Sequence, residues 1–196
     1  MKQSKVWDAL VIEAKKVAAQ ERILSKVLTE FIFERENLSD ALGWRLAARL
    51  VKSSVPESDI RDLIRKVFEQ DRDMLDCVES DLIAVMERDP ACNDFLSPFL
   101  YFKGFQALSC YRVANFLWKQ DRRDLALYLQ SLVAVVYSVD IHPAATIGKG
   151  ILLDHATSFV AGETTVIEDD VSILHEVTLG GTGKERGDRH PKIRSG

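Results

Sequence analysis

The apolar residues of this chain follow two different periods, one on each side of about residue 139. Between Lys5 and Ser138 they recur at helical spacing, and glycines are too few to break that pattern. We predict helices over residues 60–68, 73–88, 105–119 and 124–136, and a further helix that starts at 38–40. The pattern therefore predicts an all-α domain over residues 1–138.

Two of these predicted helices carry further information. Asp89-Pro90 should end the helix over 73–88, because proline disfavours helical backbone at the residue before it, so we expect Asp89 at a helix end. The helix over 124–136 is aliphatic on most of its sides. Such a helix needs burial all round, which favours contact with other subunits.

From Asp140 onward the period of the apolar residues becomes six. Steps of six from residue 141 meet large apolar residues at six of seven positions: Ile141, Ile147, Leu153, Phe159, Thr165, Val171 and Val177. A solenoid of short parallel strands joined by tight corners explains this recurrence, whereas a helix or a single strand does not. Pro143 and the glycines at 148, 150 and 162 suit such corners. We therefore predict an α+β chain whose second domain, residues 139–196, is a parallel β-helix with three hexapeptides in each triangular turn.

The hexapeptide pattern is interrupted after Leu179. A polar stretch that begins with Gly180 and ends with Pro191 predicts a loop that projects from the coil. Residues 192–196 then resemble the start of another coil. A β-helix that ends without a cap exposes apolar layers and strand edges, so we expect the chain to be truncated inside its β-helix.

Composition narrows the class of protein. A hydrophobic fraction of 46% is ample for a globular core, and 26 basic against 30 acidic residues give a net charge of −4 with no long run of one sign. We expect neither a nucleic-acid partner nor a membrane partner. No segment approaches the roughly 18 consecutive apolar residues of a membrane span, which favours the cytoplasm. The three cysteines lack metal-ligand spacing, as expected of reduced thiols.

The second region contains every histidine of the chain. A histidine can remove a proton from an alcohol when a carboxylate bonded to its other ring nitrogen fixes the tautomer. Asp140 and His155 are candidates for such a pair, although a separation of fifteen residues is not a whole turn of the solenoid. His142 and His175 are predicted to be structural, because the sequence gives neither a partner.

Several segments of this region, taken in order, resemble a known family. They are Asp140-Ile-His-Pro-Ala-Ala145, Leu153-Asp-His-Ala-Thr157, Val177-Thr-Leu-Gly-Gly-Thr-Gly183 and Gly187-Asp-Arg-His-Pro-Lys192, with Glu87-Arg-Asp-Pro-Ala91 and Leu100-Tyr-Phe-Lys-Gly-Phe105 upstream. Together they are similar to the bacterial serine acetyltransferases, and the likeness spans roughly residues 73–196. The resemblance implies that the β-helix is left-handed.

The resemblance also implies a reaction and a set of site residues. The acetyl group of acetyl-CoA would pass to the hydroxyl of L-serine, giving O-acetyl-L-serine and CoA in the first step of cysteine synthesis from serine. His155 would be the general base, with Asp140 orienting it. The remaining implied roles are an ammonium site of Asp89 and Asp154, a carboxylate site of Arg189 and His190, and a CoA-binding loop of Gly180, Gly181, Thr182 and Gly183.

Partners follow from the same resemblance. Cysteine is expected to inhibit at the serine site, and the chain is expected to form a trimer or a hexamer built from two trimers. Family members bind O-acetylserine sulfhydrylase through a C-terminal tail, so a chain that lacks the tail should not bind that enzyme. No metal is implied.

Three alternatives stay open. The first is an acetyltransferase of the same fold with another hydroxyl acceptor. The second is a zinc enzyme like the β-helical carbonic anhydrases, which needs three converging imidazoles and which the spacing of His142, His155 and His175 does not match. The third is a non-catalytic assembly module built by the helices.

Overall fold

Residues 4–50 and 54–195 are described by a computed structural model, in which helices are followed by a stack of short parallel strands. Met1 and Gly196, the outer ends of the two predicted domains, lie outside these residues. The described helices are α1 (Lys5–Gln20), α2 (Ser25–Leu28), α3 (Leu38–Leu50), α4 (Glu57–Gln70), α5 (Arg72–Arg88), α6 (Leu96–Tyr101), α7 (Lys103–Lys119) and α8 (Arg123–Tyr137). The strands are β1 (Val139–Ile141), β2 (Thr146–Ile147), β3 (Leu152–Leu153), β4 (Phe159–Ala161), β5 (Val166–Ile167), β6 (Ser172–Ile173), β7 (Thr178–Leu179) and β8 (Lys192–Ile193).

The predicted helices are confirmed, with differences at their ends. Helix α3 does begin within the predicted start, but its cap is Asn37, whose Oδ1 accepts from the Asp40 main-chain N–H at 3.0 Å. Asp40 in turn accepts from the Glu36 N–H at 3.2 Å, so two free N–H groups at this helix start are satisfied reciprocally. Helix α6 was missed, because six residues are too few to display a helical period.

Helix α7 lies at the centre of the helical region and is buried along most of its length. Its apolar residues Cys110, Val113 and Leu117 are completely buried. Its buried polar residues are bonded as well, since Gln106 donates to the Phe99 carbonyl at 3.1 Å. None of the described helices is long and apolar enough to cross a membrane; the cytoplasmic location stays a prediction.

The strands wind into a left-handed parallel β-helix with three faces, formed by β1-β4-β7, β2-β5-β8 and β3-β6. All pairs are parallel. Along the first face, Val160 pairs with Thr178, 18 residues later, which is the length of three hexapeptides. Along the second face, Val166 pairs with Lys192, 26 residues later, because that coil includes the predicted loop.

The predicted six-residue register is wrong after Leu153. The main chain pairs Ile141 with Ala161 rather than with Phe159, so one corner holds two residues more than the repeat allows. Two series of buried or half-buried residues face inward: Val139, Ala145, Ile151, Phe159, Thr165, Val171 and Val177, and Ile141, Ile147, Leu153, Ala161, Ile167, Ile173 and Leu179. The positions spaced by six residues from Ile141 belong to the second series as far as Leu153 and to the first series from Phe159 onward. They are nearly all apolar because both series point into the coil.

A buried ion pair joins the helices to the coil. Arg112 of α7 donates to Oδ2 of Asp81 on α5 from Nε at 2.8 Å and from Nη2 at 2.6 Å, and Nη2 also reaches the Gly148 carbonyl. The other Asp81 oxygen accepts from the Ile151 main-chain N–H at 2.9 Å. Burial raises the pKa of Asp81 to about 6 against the opposing effect of Arg112, so the carboxyl is mostly ionised at neutral pH. Two charges thus fix α5 and α7 on one corner of the coil.

Arg88 fixes the end of α5 on the same coil. Its Nη1 donates to the Asp170 carbonyl at 2.9 Å and to Ser172 Oγ at 3.1 Å, and its Nη2 donates to the Gly150 carbonyl. The residue that follows Arg88 is therefore held close to the strands.

Candidate active site

His155 lies on the irregular corner between β3 and β4. His155, Ala156 and Ser158 have positive φ angles of 55°, 59° and 59°, a conformation that costs non-glycine residues of order 1 kcal/mol each. Main-chain bonds hold the corner, from Thr157 N–H to the His155 carbonyl and from Ser158 N–H to the Ser138 carbonyl, both at 2.8 Å. The His155 side chain is 73% exposed while Ala156 is fully buried, so the corner turns the imidazole outward.

The neighbours of His155 are a carboxylate and a second imidazole. Asp154 Oδ2 lies 3.8 Å from His155 Nε2, which is too long for a hydrogen bond but close enough for attraction to a protonated ring. The His175 ring packs edge-on against the His155 ring, with centroids 5.8 Å apart and planes at 78°. No partner of His175 was predicted from the sequence, whereas the structure places its ring against His155.

The start of helix α7 packs against this corner. A Cβ atom on Gly104 would lie 1.9 Å from the Leu153 carbonyl oxygen, so only glycine permits this close approach. The neighbouring Lys103 donates from Nζ to Thr157 Oγ1 at 2.6 Å. The segment that begins at Leu100, noted from the sequence, is therefore the support of the corner.

Asp89 lies where the sequence predicts, at the end of α5. Its main-chain N–H donates to the Val85 carbonyl, and its Oδ1 accepts from the Ala91 N–H at 2.9 Å. Val85 and Cys92 pack against Leu152 of β3. Asp89 is thus placed beside the strand that leads into the irregular corner.

Asp140 faces outward from β1, in register with Val160 of β4. Its Oδ1 accepts from Gln130 Nε2 at 2.7 Å. The contacts formed within the described residues do not include one between Asp140 and His155. Their pairing therefore stays a prediction.

Arg189 and His190 lie at a different corner, between β4 and β5. Arg189 Nη2 contacts Glu163 Oε2 at 3.1 Å, and the main-chain N–H groups of Arg189 and His190 both donate to Thr164 Oγ1 at 3.1 Å. The ring of His190 lies over Gly162, where an added Cβ would be 1.9 Å from Nε2. The two residues, which are adjacent in the chain, are thus held by one corner of the coil.

The predicted CoA-binding residues lie on the exposed loop after β7. Gly183 has a φ of 70°, and an added Cβ there would meet open space. An added Cβ on Gly181 would lie 2.9 Å from Arg189 Cγ, so this glycine lets the loop pass close to the arginine. Gly180 and Thr182 are exposed. The contact of these four residues with CoA stays a prediction.

The two clusters lie at opposite ends of strand β4. Asp154 and His155 come before the strand in the chain. Arg189 and His190 contact the corner that comes directly after it. Three residues of strand span roughly 10 Å. None of the hydrogen bonds formed by the described residues joins the two clusters.

No group of three or more His, Cys, Asp or Glu side chains within residues 4–50 and 54–195 is placed to hold a metal ion. His142 lies edge-on against Trp118 at 5.1 Å and accepts from the Ala144 N–H at Nδ1, whereas His155 contacts His175. The zinc alternative therefore has no set of three converging imidazoles in this part of the chain.

Comparisons with known proteins identify the family of this chain. The family model for the N-terminal region of serine acetyltransferase matches residues 6–110. The serine acetyltransferase of Haemophilus influenzae is 48% identical over 191 residues, which cover 97% of this chain and 72% of that protein. This chain belongs to the serine acetyltransferase family.

Solved serine acetyltransferases share the fold over nearly the whole chain. The soybean enzyme complexed with serine has a TM-score of 0.94 and 48% identity, and the match covers 97% of this chain and 79% of that one. The Brucella abortus enzyme in complex with CoA has a TM-score of 0.95 and 44% identity, over 98% of this chain and 77% of that one. The similarity reaches well upstream of residue 73, where the likeness seen in the sequence began.

Sequence reasoning missed several polar residues near the predicted site residues. Lys103, Glu163, Thr164 and His175 contact predicted site residues or their corners. A signal for His175 exists, because it follows His155 by 20 residues, the length of the coil with the irregular corner. That length becomes visible only when the true register is known.

Proposed function

We propose that this chain transfers the acetyl group of acetyl-CoA to the hydroxyl of L-serine, giving O-acetyl-L-serine and CoA in cysteine biosynthesis. The proposal rests on 48% identity to a serine acetyltransferase over 97% of the chain. Solved relatives with the same fold are complexes with serine and with CoA. The exposed imidazole on the strained corner supplies a group suited to this chemistry.

His155 is the proposed general base. It accepts the hydroxyl proton while the serine oxygen bonds to the thioester carbonyl carbon. The carbon–sulfur bond then breaks, and His155 returns the proton to the CoA sulfur. The transfer is direct, because both substrates are held together and no acyl-enzyme is needed. Asp140 is proposed to orient the imidazole, and its Oδ2 is available for this because Gln130 contacts only Oδ1.

The charges of the two clusters suit a zwitterionic acceptor. Asp89 and Asp154 are proposed to bind the ammonium group, and Arg189 and His190 the carboxylate. The anionic pair lies on or beside the His155 corner, and the cationic pair lies at the far end of β4.

We propose that a neighbouring copy of the chain completes the site. The separation of the two clusters along β4 supports a shared site. A second β-helix packed alongside can place its own Arg189 and His190 next to the irregular corner that carries His155 in the first copy. Helix α8 also leaves Leu127 40% and Val135 78% exposed, an apolar surface suited to contact between copies. The family resemblance implies a trimer, or a hexamer of two trimers.

The loop from Gly180 to Gly183 is proposed to approach CoA, because glycines let a main chain come close to a ligand. Cysteine is proposed to compete with serine, from which it differs only in having sulfur in place of the hydroxyl oxygen. A related serine acetyltransferase structure is a complex with cysteine. Titration should show that cysteine and serine exclude each other; simultaneous binding of both would contradict a shared site.

Release of CoA thiol from acetyl-CoA, with L-serine as acceptor, tests the proposed function. His155→Ala should lower kcat by about 10²–10⁴, the usual contribution of a general base. Glu36→Gln is the control, because Glu36 is an exposed residue of the helical region, and this variant should keep most of the rate. Thiol release without serine dependence, or an unchanged rate in His155→Ala, would contradict the proposal. Equal rates with L-serine and with a sugar hydroxyl would favour the alternative acceptor.

A further inference from the structure

Two consecutive residues, Glu163 and Thr164, form five contacts with Arg189 and His190. Thr164 Oγ1 accepts from both main-chain N–H groups, each at 3.1 Å. The Thr164 main-chain N–H donates to His190 Nδ1 at 3.2 Å, and Oγ1 lies 2.8 Å from the same nitrogen. Glu163 Oε2 accepts from Arg189 Nη2 at 3.1 Å. Both cationic side chains are therefore oriented by one corner of the coil.

The contact with Thr164 determines which nitrogen of His190 carries the proton. A main-chain N–H can only donate, so His190 Nδ1 must accept. The neutral ring then carries its hydrogen on Nε2. Nε2 makes no hydrogen bond to any of the described residues, and the ring packs against Gly162, where an added Cβ would lie 1.9 Å from Nε2. The ring is thus held with a free donor.

The contact with Glu163 leaves Arg189 partly free. Of the five N–H donors of the guanidinium, one engages Glu163 through Nη2 and one engages the Gly187 carbonyl through Nη1 at 3.2 Å. The remaining donors have no partner among the residues that the structure describes. They are available to a planar anion such as a carboxylate.

We propose that Glu163 and Thr164 are positioning residues that prepare the Arg189–His190 pair to bind the carboxylate of the acceptor. The inference rests on the proposed function, since it assigns the pair to the amino-acid acceptor. Glu163 fixes the plane of the guanidinium, and Thr164 fixes the ring and tautomer of His190. Neither residue needs to touch the substrate, because each acts through the side chain that it holds.

A purely structural role predicts a different result. Lys192 also donates to the Thr164 carbonyl, so this corner helps return the loop to the coil at β8. If that were the whole role of Thr164, its loss would lower stability and affect both substrates alike. A positioning role predicts a selective rise in the KM for serine.

The first test compares Thr164→Val, which keeps the shape of the side chain and removes the hydroxyl, with Thr164→Ser, which restores the hydroxyl. Thr164→Val should raise the KM for serine roughly tenfold or more and the KM for acetyl-CoA by less than about twofold, the selective loss expected when hydrogen bonds to a charged site are lost. Thr164→Ser should return the serine KM to within about threefold of the original value. Thr146→Val is the matched control, because Thr146 is an exposed threonine on β2 whose hydroxyl has no described partner.

Equal changes in the two KM values, or failure of Thr164→Ser to restore serine binding, would overturn the proposal for Thr164. Glu163→Gln tests the other half and should raise the serine KM by a smaller factor, since the amide oxygen still accepts from Arg189. An exposed glutamate of the helical region, Glu36, supplies the charge-matched control as Glu36→Gln. A Glu163→Gln enzyme with an unchanged serine KM would remove Glu163 from the proposal.

A spectroscopic measurement separates this inference from the proposed function. The ¹⁵N resonances of His190 in the unaltered protein, at alkaline pH where the ring is neutral, should show an unprotonated Nδ1 and a protonated Nε2. Both Thr164→Val and Thr164→Ser keep the main-chain N–H that donates to Nδ1. Thr164→Val should weaken the preference for the tautomer protonated at Nε2, because it removes the hydroxyl, whereas Thr164→Ser should keep that preference. A protonated Nδ1 in the unaltered protein would overturn the inference even if serine acetylation is observed. If the predicted tautomer is observed but no serine acetylation is measured, the proposed function is refuted. Only the orientation of the His190 ring by Thr164 then stands.

Discussion

The helical region and the β-helix use the same types of charged residue in opposite ways. In the helices, Asp81 and Arg112 are buried and bonded to each other and to the coil, so their charges hold the two regions together. In the β-helix, mostly apolar residues fill the interior and the charged side chains lie on the outer surface, where His155 is exposed and Arg189 is half-buried. The apolar interior packs the solenoid, so charged side chains can lie on a surface that a ligand can reach.

The largest expected effect comes from breaking the junction between the regions. Arg112→Gln leaves Asp81 buried without its charged partner, and we expect the free energy of unfolding to fall by about 3–5 kcal/mol. Urea denaturation measures this change. The control is Arg65→Gln, which removes an exposed pair with Glu69 and should cost less than about 1 kcal/mol. Similar losses in the two variants would show that the buried pair has no special part in joining the regions.

The next effect concerns the support of the irregular corner by α7. Gly104→Ala places a methyl group 1.9 Å from the Leu153 carbonyl, so the helix or the corner must move. We expect a loss of about 1–3 kcal/mol in the free energy of unfolding, together with reduced acetyl transfer because His155 shifts. Gly180→Ala serves as the control for stability alone, since its added Cβ would lie 3.3 Å from Thr178 Cγ2. A stable and fully active Gly104→Ala protein would show that the close approach at Gly104 is not needed to hold the irregular corner.

The smallest expected effect is a dependence of stability on pH. Burial lowers the pKa of His142, against the opposing effects of Glu163 and Asp140, so the folded protein prefers the neutral ring. The unfolded chain takes up this proton near pH 6.5, which means that stability is lost as the pH falls below that value toward the folded pKa. Thermal unfolding of His142→Gln should vary less between pH 7.5 and pH 5.5 than that of the original protein. Equal variation in both proteins would exclude His142 as a source.

The periods of the sequence predicted the two kinds of region and most helix positions, because apolar spacing reflects burial directly. The register of the coil was predicted only as far as Leu153. The two additional residues before Ala161 leave the apolar pattern intact, so the sequence carries no mark of them. The stacking of His175 beside His155 depends on that register and was missed with it.

The candidate site was predicted in parts. Arg189 and His190 are adjacent in sequence and stay together in the fold, and Asp89 was placed at its helix end by the proline that follows. Glu163 and Thr164 resemble ordinary polar residues of a solenoid corner. The loop and its return at residue 192 were predicted, but the sequence does not show which corner of the coil the returning loop contacts.

The most direct test of a site shared between two copies is a mixture of inactive variants. His155→Ala and Arg189→Ala each damage one cluster, so either protein alone should have little activity. If one copy supplies His155 and its neighbour supplies Arg189, equal co-expression should leave about a quarter of the sites with both residues intact. We predict serine-dependent CoA release at about a quarter of the unaltered rate. A mixture no more active than the two separate proteins would contradict the account, because the two clusters would then have to act within one chain.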